Sequence, residues 1–165
     1  MNIIELLLTE MERESNTTRK MLSLVPMNKL GWTPHQKSMT MRSLATHVAE
    51  LFSWVELGLN TDELDFAVTP YEQVSVENTQ DLLLLFEKSY TEGRNALAVT
   101  KDSDLTGKWV LRNADEIYAT MTKYEIIRHT FSQIIHHRAQ LGVYLRLLDI
   151  PIPGSYGPSA DDPSF

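Results

Sequence analysis

From Thr122 to Leu148 the chain contains no proline, and only Gly142 weakens its helical pattern before Pro151 and Pro153 end the run. This stretch limits the fold more than any other, because it reads as one long helix. Thr122 and Glu125 have capping-box spacing: the hydroxyl and the carboxylate can each take a backbone N–H left free at a helix start. At about 100° per residue, Ile126, Thr130, Ile134, Leu141, Tyr144 and Leu148 fall on one stripe. His137 is expected near the middle of that stripe, with Gln133 one turn earlier on its flank. His129 and His136 are expected on the polar edge and Arg138 on the opposite boundary. A histidine among Ile and Leu must satisfy its ring nitrogens, since an unpaired buried polar group costs about 1–3 kcal/mol. From periodicity alone, a core histidine bonded to a carbonyl is favoured over a metal ligand.

Three further helices are expected. Ile3 to Val25 repeats Ile3, Leu6, Leu7, Met11, Thr18, Met21, Leu22 and Val25 near the helical period and ends at Pro26, with Glu5, Glu10, Glu12, Arg13, Glu14, Arg19 and Lys20 on a solvated face. Met39 to Asn60 has the core stripe Leu44, Val48, Leu51, Phe52, Val55 and Leu59, with His47 on its flank. Gln80 to about Val99, capped by Asn78 or Thr79, turns Leu82, Leu83, Phe86, Tyr90, Ala96 and Leu97 inward, although Gly93 weakens it. His35, in the loop between the first two helices, reads as a surface residue. Thr61 to Val76 is long for a helix connection and is expected to lie over one end of the fold. Lys101 to Met121 has no helical stripe, and Trp109-Val110-Leu111 reads as a short extended segment. The expectation is an all-α fold: a single domain over 1–165, a four-helix bundle with long crossover connections.

At 165 residues the chain is long enough to bury a core without staples. The absence of cysteine excludes disulfides, thiolate metal sites and a cysteine nucleophile. A net charge of −7 with scattered basic residues disfavours nucleic-acid binding. The N-terminus lacks a basic region, and acids break its apolar run, so neither a signal peptide nor a membrane span is expected and a cytoplasmic location is.

The segment His136-His137-Arg138-Ala139-Gln140-Leu141, continuing through Gly142-Val143-Tyr144-Leu145-Arg146, resembles the closing helix of the DinB family of four-helix bundles. Leu44-Ala45-Thr46-His47-Val48-Ala49-Glu50, the Pro151-Ile152-Pro153 exit, Trp109 and the ending Tyr156-Gly157-Pro158-Ser159-Ala160-Asp161 also fit. The resemblance implies a divalent transition metal, zinc or nickel, held by one histidine of the second helix and two of the last, four residues apart. Carried onto this chain these positions are His47, Gln133 and His137, so an amide stands where the family pattern has its middle histidine. Two imidazoles and an amide with open positions are the layout of a catalytic rather than a structural site. The resemblance further implies a homodimer and a metal-dependent enzyme of thiol S-transferase or hydrolase type, acting on a small molecule with a low-molecular-weight thiol. Gln133 favours a competing reading, a dimeric non-catalytic bundle whose metal site has decayed and which acts by binding a ligand or partner.

Overall fold

The computed structural model describes residues 2–163; Met1, at the start of the expected domain, and Ser164 and Phe165, at its end, lie outside them. Helix α1 (Ile3–Leu22) begins on Asn2, whose side-chain oxygen accepts the Glu5 N–H at 2.8 Å while the Glu5 carboxylate accepts the Asn2 N–H at 3.2 Å. That reciprocal pair satisfies two of the donors a helix start leaves free. The helix stops three residues short of the expected Val25. Its core-facing line also differs from the expected one: Ile4, Leu7 and Met11 are buried, while Ile3 and Leu6 are exposed.

The expected second helix is two: α2 (Met41–Glu50) and α3 (Ser53–Asn60). The cause is a side chain from another helix. The Ser89 hydroxyl accepts the Ser53 N–H at 2.8 Å and donates to the Glu50 carbonyl at 2.9 Å. The Trp54 and Val55 N–H groups then bond three residues back, to Leu51 and Phe52, instead of four. Insertion of a hydroxyl into the hydrogen-bond ladder is a recognised way to interrupt a helix. Phe52, at the break, is fully buried and packs edge-on against Phe131 and tilted against Phe86 at centroid distances of 6.3 and 5.9 Å.

Helix α4 (Thr79–Val99) is capped by Asn78, whose side chain accepts the Asp81 N–H at 2.9 Å. Gly93 has a positive reason to be glycine. A Cβ there would lie 2.3 Å from the Phe52 carbonyl oxygen, so the helices meet as closely as backbone allows. Helix α5 (Lys123–Leu147) opens with the expected capping box of Thr122 and Glu125 and packs against α1, α2 and α3.

All-α is therefore only an approximate description: the chain is mostly helical, but three strands form a small sheet in the order β1-β2-β3. Strand β1 (Glu63–Asp65) pairs parallel to β2 (Lys108–Asn113), which pairs antiparallel to β3 (Glu116–Thr122). Trp109, in the segment expected to be extended, is fully buried and donates its indole N–H to Thr61 Oγ1 at 3.0 Å. The turn between β2 and β3 places Ala114 at φ 50°, steadied by Asp65, whose Oδ1 accepts the Ala114 N–H at 2.9 Å. The segment between β1 and α4 does not merely cap one end. It runs along α2: the Tyr71 hydroxyl donates to Glu50, Gln73 to Thr46, and Arg42 to the Val76 carbonyl.

After α5 the chain folds back on itself. The Ser159 hydroxyl donates to the Ile152 carbonyl, and Asp161 accepts from Arg146 and from the Ile152 N–H. The Tyr156 hydroxyl reaches α1, donating to Glu14 at 2.5 Å. Glu14 was expected on a solvated face and Arg138 at a stripe boundary, yet both are buried, at 6% and 2% exposure. Each neutralises the other, with Arg138 Nη1 2.7 Å from Glu14 Oε2. No helix among the described residues is long and apolar enough to cross a membrane.

Candidate metal centre

His47 projects from α2 and His137 from α5, and their rings meet edge to face with centroids 4.6 Å apart. Helix periodicity explains how each gets there. On α2, Leu44, Val48 and Leu51 are buried, so His47 sits half-buried on the flank of that line, as the sequence predicts. On α5 the buried sector is wider than one stripe, because α1 lies on one side and α2 and α3 on the other. Phe131, Arg138 and Leu145 face that sector, and His137 lies half-buried at its edge rather than at its centre.

Burial, and secondarily the adjacent His137, hold the His47 ring down to a pKa of about 4. His137 is also lowered from 6.5, mainly by burial and against the opposing effect of its bond to Gln140. Both rings are thus neutral at pH 7, the state in which imidazole offers a lone pair to a metal. His137 Nδ1 lies 3.0 Å from Gln140 Oε1. An amide oxygen only accepts, so Nδ1 carries the proton and Nε2 keeps its lone pair. The same amide turns its nitrogen to His136 Nε2 at 3.1 Å. Gln140 therefore fixes the His137 tautomer in the manner of the outer partners that orient metal-binding histidines. Its i, i+3 spacing from His137 was available in the sequence but carried no signal without a reason to look for a tautomer lock.

Gln133 lines a cavity of about 160 Å³ together with His47, Trp54 and His129. His129 was expected on the polar edge of α5. It does not join that ring pair, but it does share the cavity with His47. His136 is exposed. His35 is exposed in its loop, where its Nδ1 accepts the Lys37 N–H. Among the described residues no three His, Cys, Asp or Glu side chains are grouped so as to hold a metal ion. Among the described residues the donor set thus offers a divalent metal two neutral imidazoles.

A family model, that of the DinB family, matches residues 1–164. The chain belongs to the DinB family. Among solved structures, a DinB-like protein from Bacillus subtilis matches with a TM-score of 0.71 at 15% identity, covering 90% of this chain and 96% of that one. A DinB-like protein from Bacillus cereus matches with a TM-score of 0.68 at 20% identity, covering 91% and 95%. A mycothiol-dependent maleylpyruvate isomerase matches with a TM-score of 0.60 at 20% identity, over 86% of this chain but only 61% of the isomerase. At these identities the likeness is one of fold. No curated protein sequence matches the chain.

Proposed function

We propose that this DinB protein binds a divalent transition metal, zinc or nickel, through His47 and His137 with Gln133 as a weaker third ligand, and acts as an enzyme on small molecules. The observation that carries this reading is the neutral ring pair between α2 and α5, with His137 Nε2 left free by Gln140. With α2 and α3 counted as one interrupted rod, we read the helical part as four helices around a core, the setting in which facing helices build such centres. A bound metal of this class polarises carbonyls and makes a coordinated thiol or water acidic. The chain's own contribution is to hold both imidazoles neutral and to orient His137. The fold is shared with a mycothiol-dependent isomerase, which supports a low-molecular-weight thiol as co-substrate; the reaction proposed here is of transferase or hydrolase type. A second reading, a non-catalytic bundle with a decayed metal site, is favoured by the amide at position 133 and by the absence of a third strong ligand among the described residues.

Zinc titration of protein purified without a metal-affinity tag separates the two. His137→Ala should abolish binding, and His136→Ala should leave it nearly unchanged because that ring is exposed. Gln133→His should tighten binding several-fold or more, since it supplies a third imidazole. Equal affinity in the wild type and in His137→Ala would remove the metal from the proposal. We also propose a homodimer formed through α1, where Ile3 and Leu6 are 44% and 52% exposed. Light scattering at micromolar concentration should give twice the 18.9 kDa chain mass, and a monomer would exclude it.

A further inference from the structure

The cavity that borders His47 has a property the metal reading does not use. Four polar side chains line it: Thr130 donates its hydroxyl to the Ile126 carbonyl, while the other three, His47, His129 and Gln133, hydrogen-bond to no other protein group among the described residues. His136 and His137, by contrast, are both engaged by Gln140. The other walls are apolar or aromatic: Leu51 just after α2, Trp54 from α3 and Leu111 from β2. No carboxylate, lysine or arginine lines it. His137 does not line it either, so the metal pair and the cavity meet only at the His47 ring and at Gln133. Small-molecule sites have this composition, a mainly apolar enclosure with a few placed hydrogen-bonding groups.

We infer that this cavity is the seat of the substrate's polar group, bound by hydrogen bonds to His129 and to Gln133, whose amide N–H stays available when its oxygen ligates the metal. His129 becomes a specificity-determining residue of the site, a role distinct from that of the metal-facing histidines. The chemistry of the lining selects the ligand. Imidazole and carboxamide side chains both donate and accept, and with no charged neighbour they match an uncharged group that does the same. A volume of about 160 Å³ admits only a few heavy atoms, because a water molecule's share of liquid volume is about 30 Å³. A carboxamide, or a carbonyl beside a hydroxyl, fits both requirements. Trp54 and Leu111 would cover its apolar side, and Leu111 makes the small sheet part of the site. The assignment rests on the small-molecule reading given above but does not require the metal.

Acetamide is the probe, followed by NMR of the five histidine ring signals, with zinc added in a separate titration. Acetamide should shift the His129 and His47 signals, leave those of His35 and His136 in place, and bind in the millimolar range open to so small a ligand. His129→Leu should weaken that binding about tenfold, the effect of about one hydrogen bond, with its thermal midpoint near that of the wild type. His129→Gln keeps a donor and an acceptor and should retain the affinity within about threefold. In both variants zinc should still perturb His47 and His137. Acetamide that binds His129→Leu as it binds the wild type, that moves all five rings alike, or that moves none overturns the assignment. Zinc failing to move His47 and His137 while acetamide still moves His129 supports the seat and removes the metal. Should His129→Leu not fold, loss of acetamide binding in a folded His129→Gln also overturns it.

Discussion

Arg138→Met should lower the free energy of unfolding by about 3–5 kcal/mol, the usual result of deleting one partner of a buried ion pair. Arg138 is 2% exposed and its Nη1 donates to the Glu14 carbonyl and to Thr18 Oγ1, each at 3.1 Å. The carboxylate contact at 2.7 Å is close but not aligned as a hydrogen bond, so its contribution is mainly charge neutralisation. With methionine in place of Arg138, Glu14 keeps only the Tyr156 hydroxyl as a partner and remains a nearly unexposed anion. Replacing both charges, as Arg138→Met with Glu14→Leu, should restore most of the loss, since burying two charges is itself unfavourable. Urea denaturation with an unchanged slope measures each variant. A loss below about 1 kcal/mol in the single variant would place the pair in a far wetter setting than the structure gives it.

Gly93→Ala is expected to destabilise the protein although it removes a glycine from the interior of a helix. Intrinsic propensity alone favours alanine by about 1 kcal/mol. Against that, the new Cβ would stand 2.3 Å from the Phe52 carbonyl oxygen and 3.0 Å from Met11 Cε. Backbone oxygen cannot rotate away as a side chain can, and overpacking of this kind costs about 1–3 kcal/mol or more. A net loss of about 2 kcal/mol corresponds to a fall in Tm of about 4–8 °C at this chain length. Gly58→Ala is the comparison: its Cβ would meet Ile126 Cγ2 at 2.7 Å, a contact with a side chain instead of with a backbone oxygen. The smaller loss is expected there, and a Gly93→Ala protein more stable than the wild type would mean that α3 and α4 separate easily.

What could be read from the residues follows the range of the interactions responsible. The last helix is expected over 122–148 and found over 123–147, because its capping box and terminal prolines are local signals. The break between α2 and α3 carries no local signal, since the hydroxyl that makes it comes from Ser89, 36 residues away. Strand β3 is mostly exposed and follows a turn at Ala114 and Asp115 that lacks the glycine or asparagine usual in such turns. The charge of Glu14 predicts a solvated face and the helix phase puts Arg138 at a stripe boundary, and only their pairing makes the burial of both tolerable. At the site, the placing of His47 opposite His137 came from the family resemblance. Periodicity gave the half-buried flank of α2 but set His137 at the centre of a stripe whose edge it occupies. His129 lies on the polar edge of the helix wheel, and its access to the cavity beside His47 depends on the packing of α5 against other elements.

The Arg138–Glu14 pair spans 124 residues, and the Tyr156–Glu14 bond spans 142. During synthesis, at roughly 5–20 residues per second, the face of α1 destined for the interior therefore carries an uncompensated anion until nearly the whole chain has been made. A nascent α1 cannot dock at that position without burying the bare carboxylate, and pairing across such separations is intrinsically slow. The buried carboxylate of the first helix therefore gains its compensating cation only once the last helix has been made.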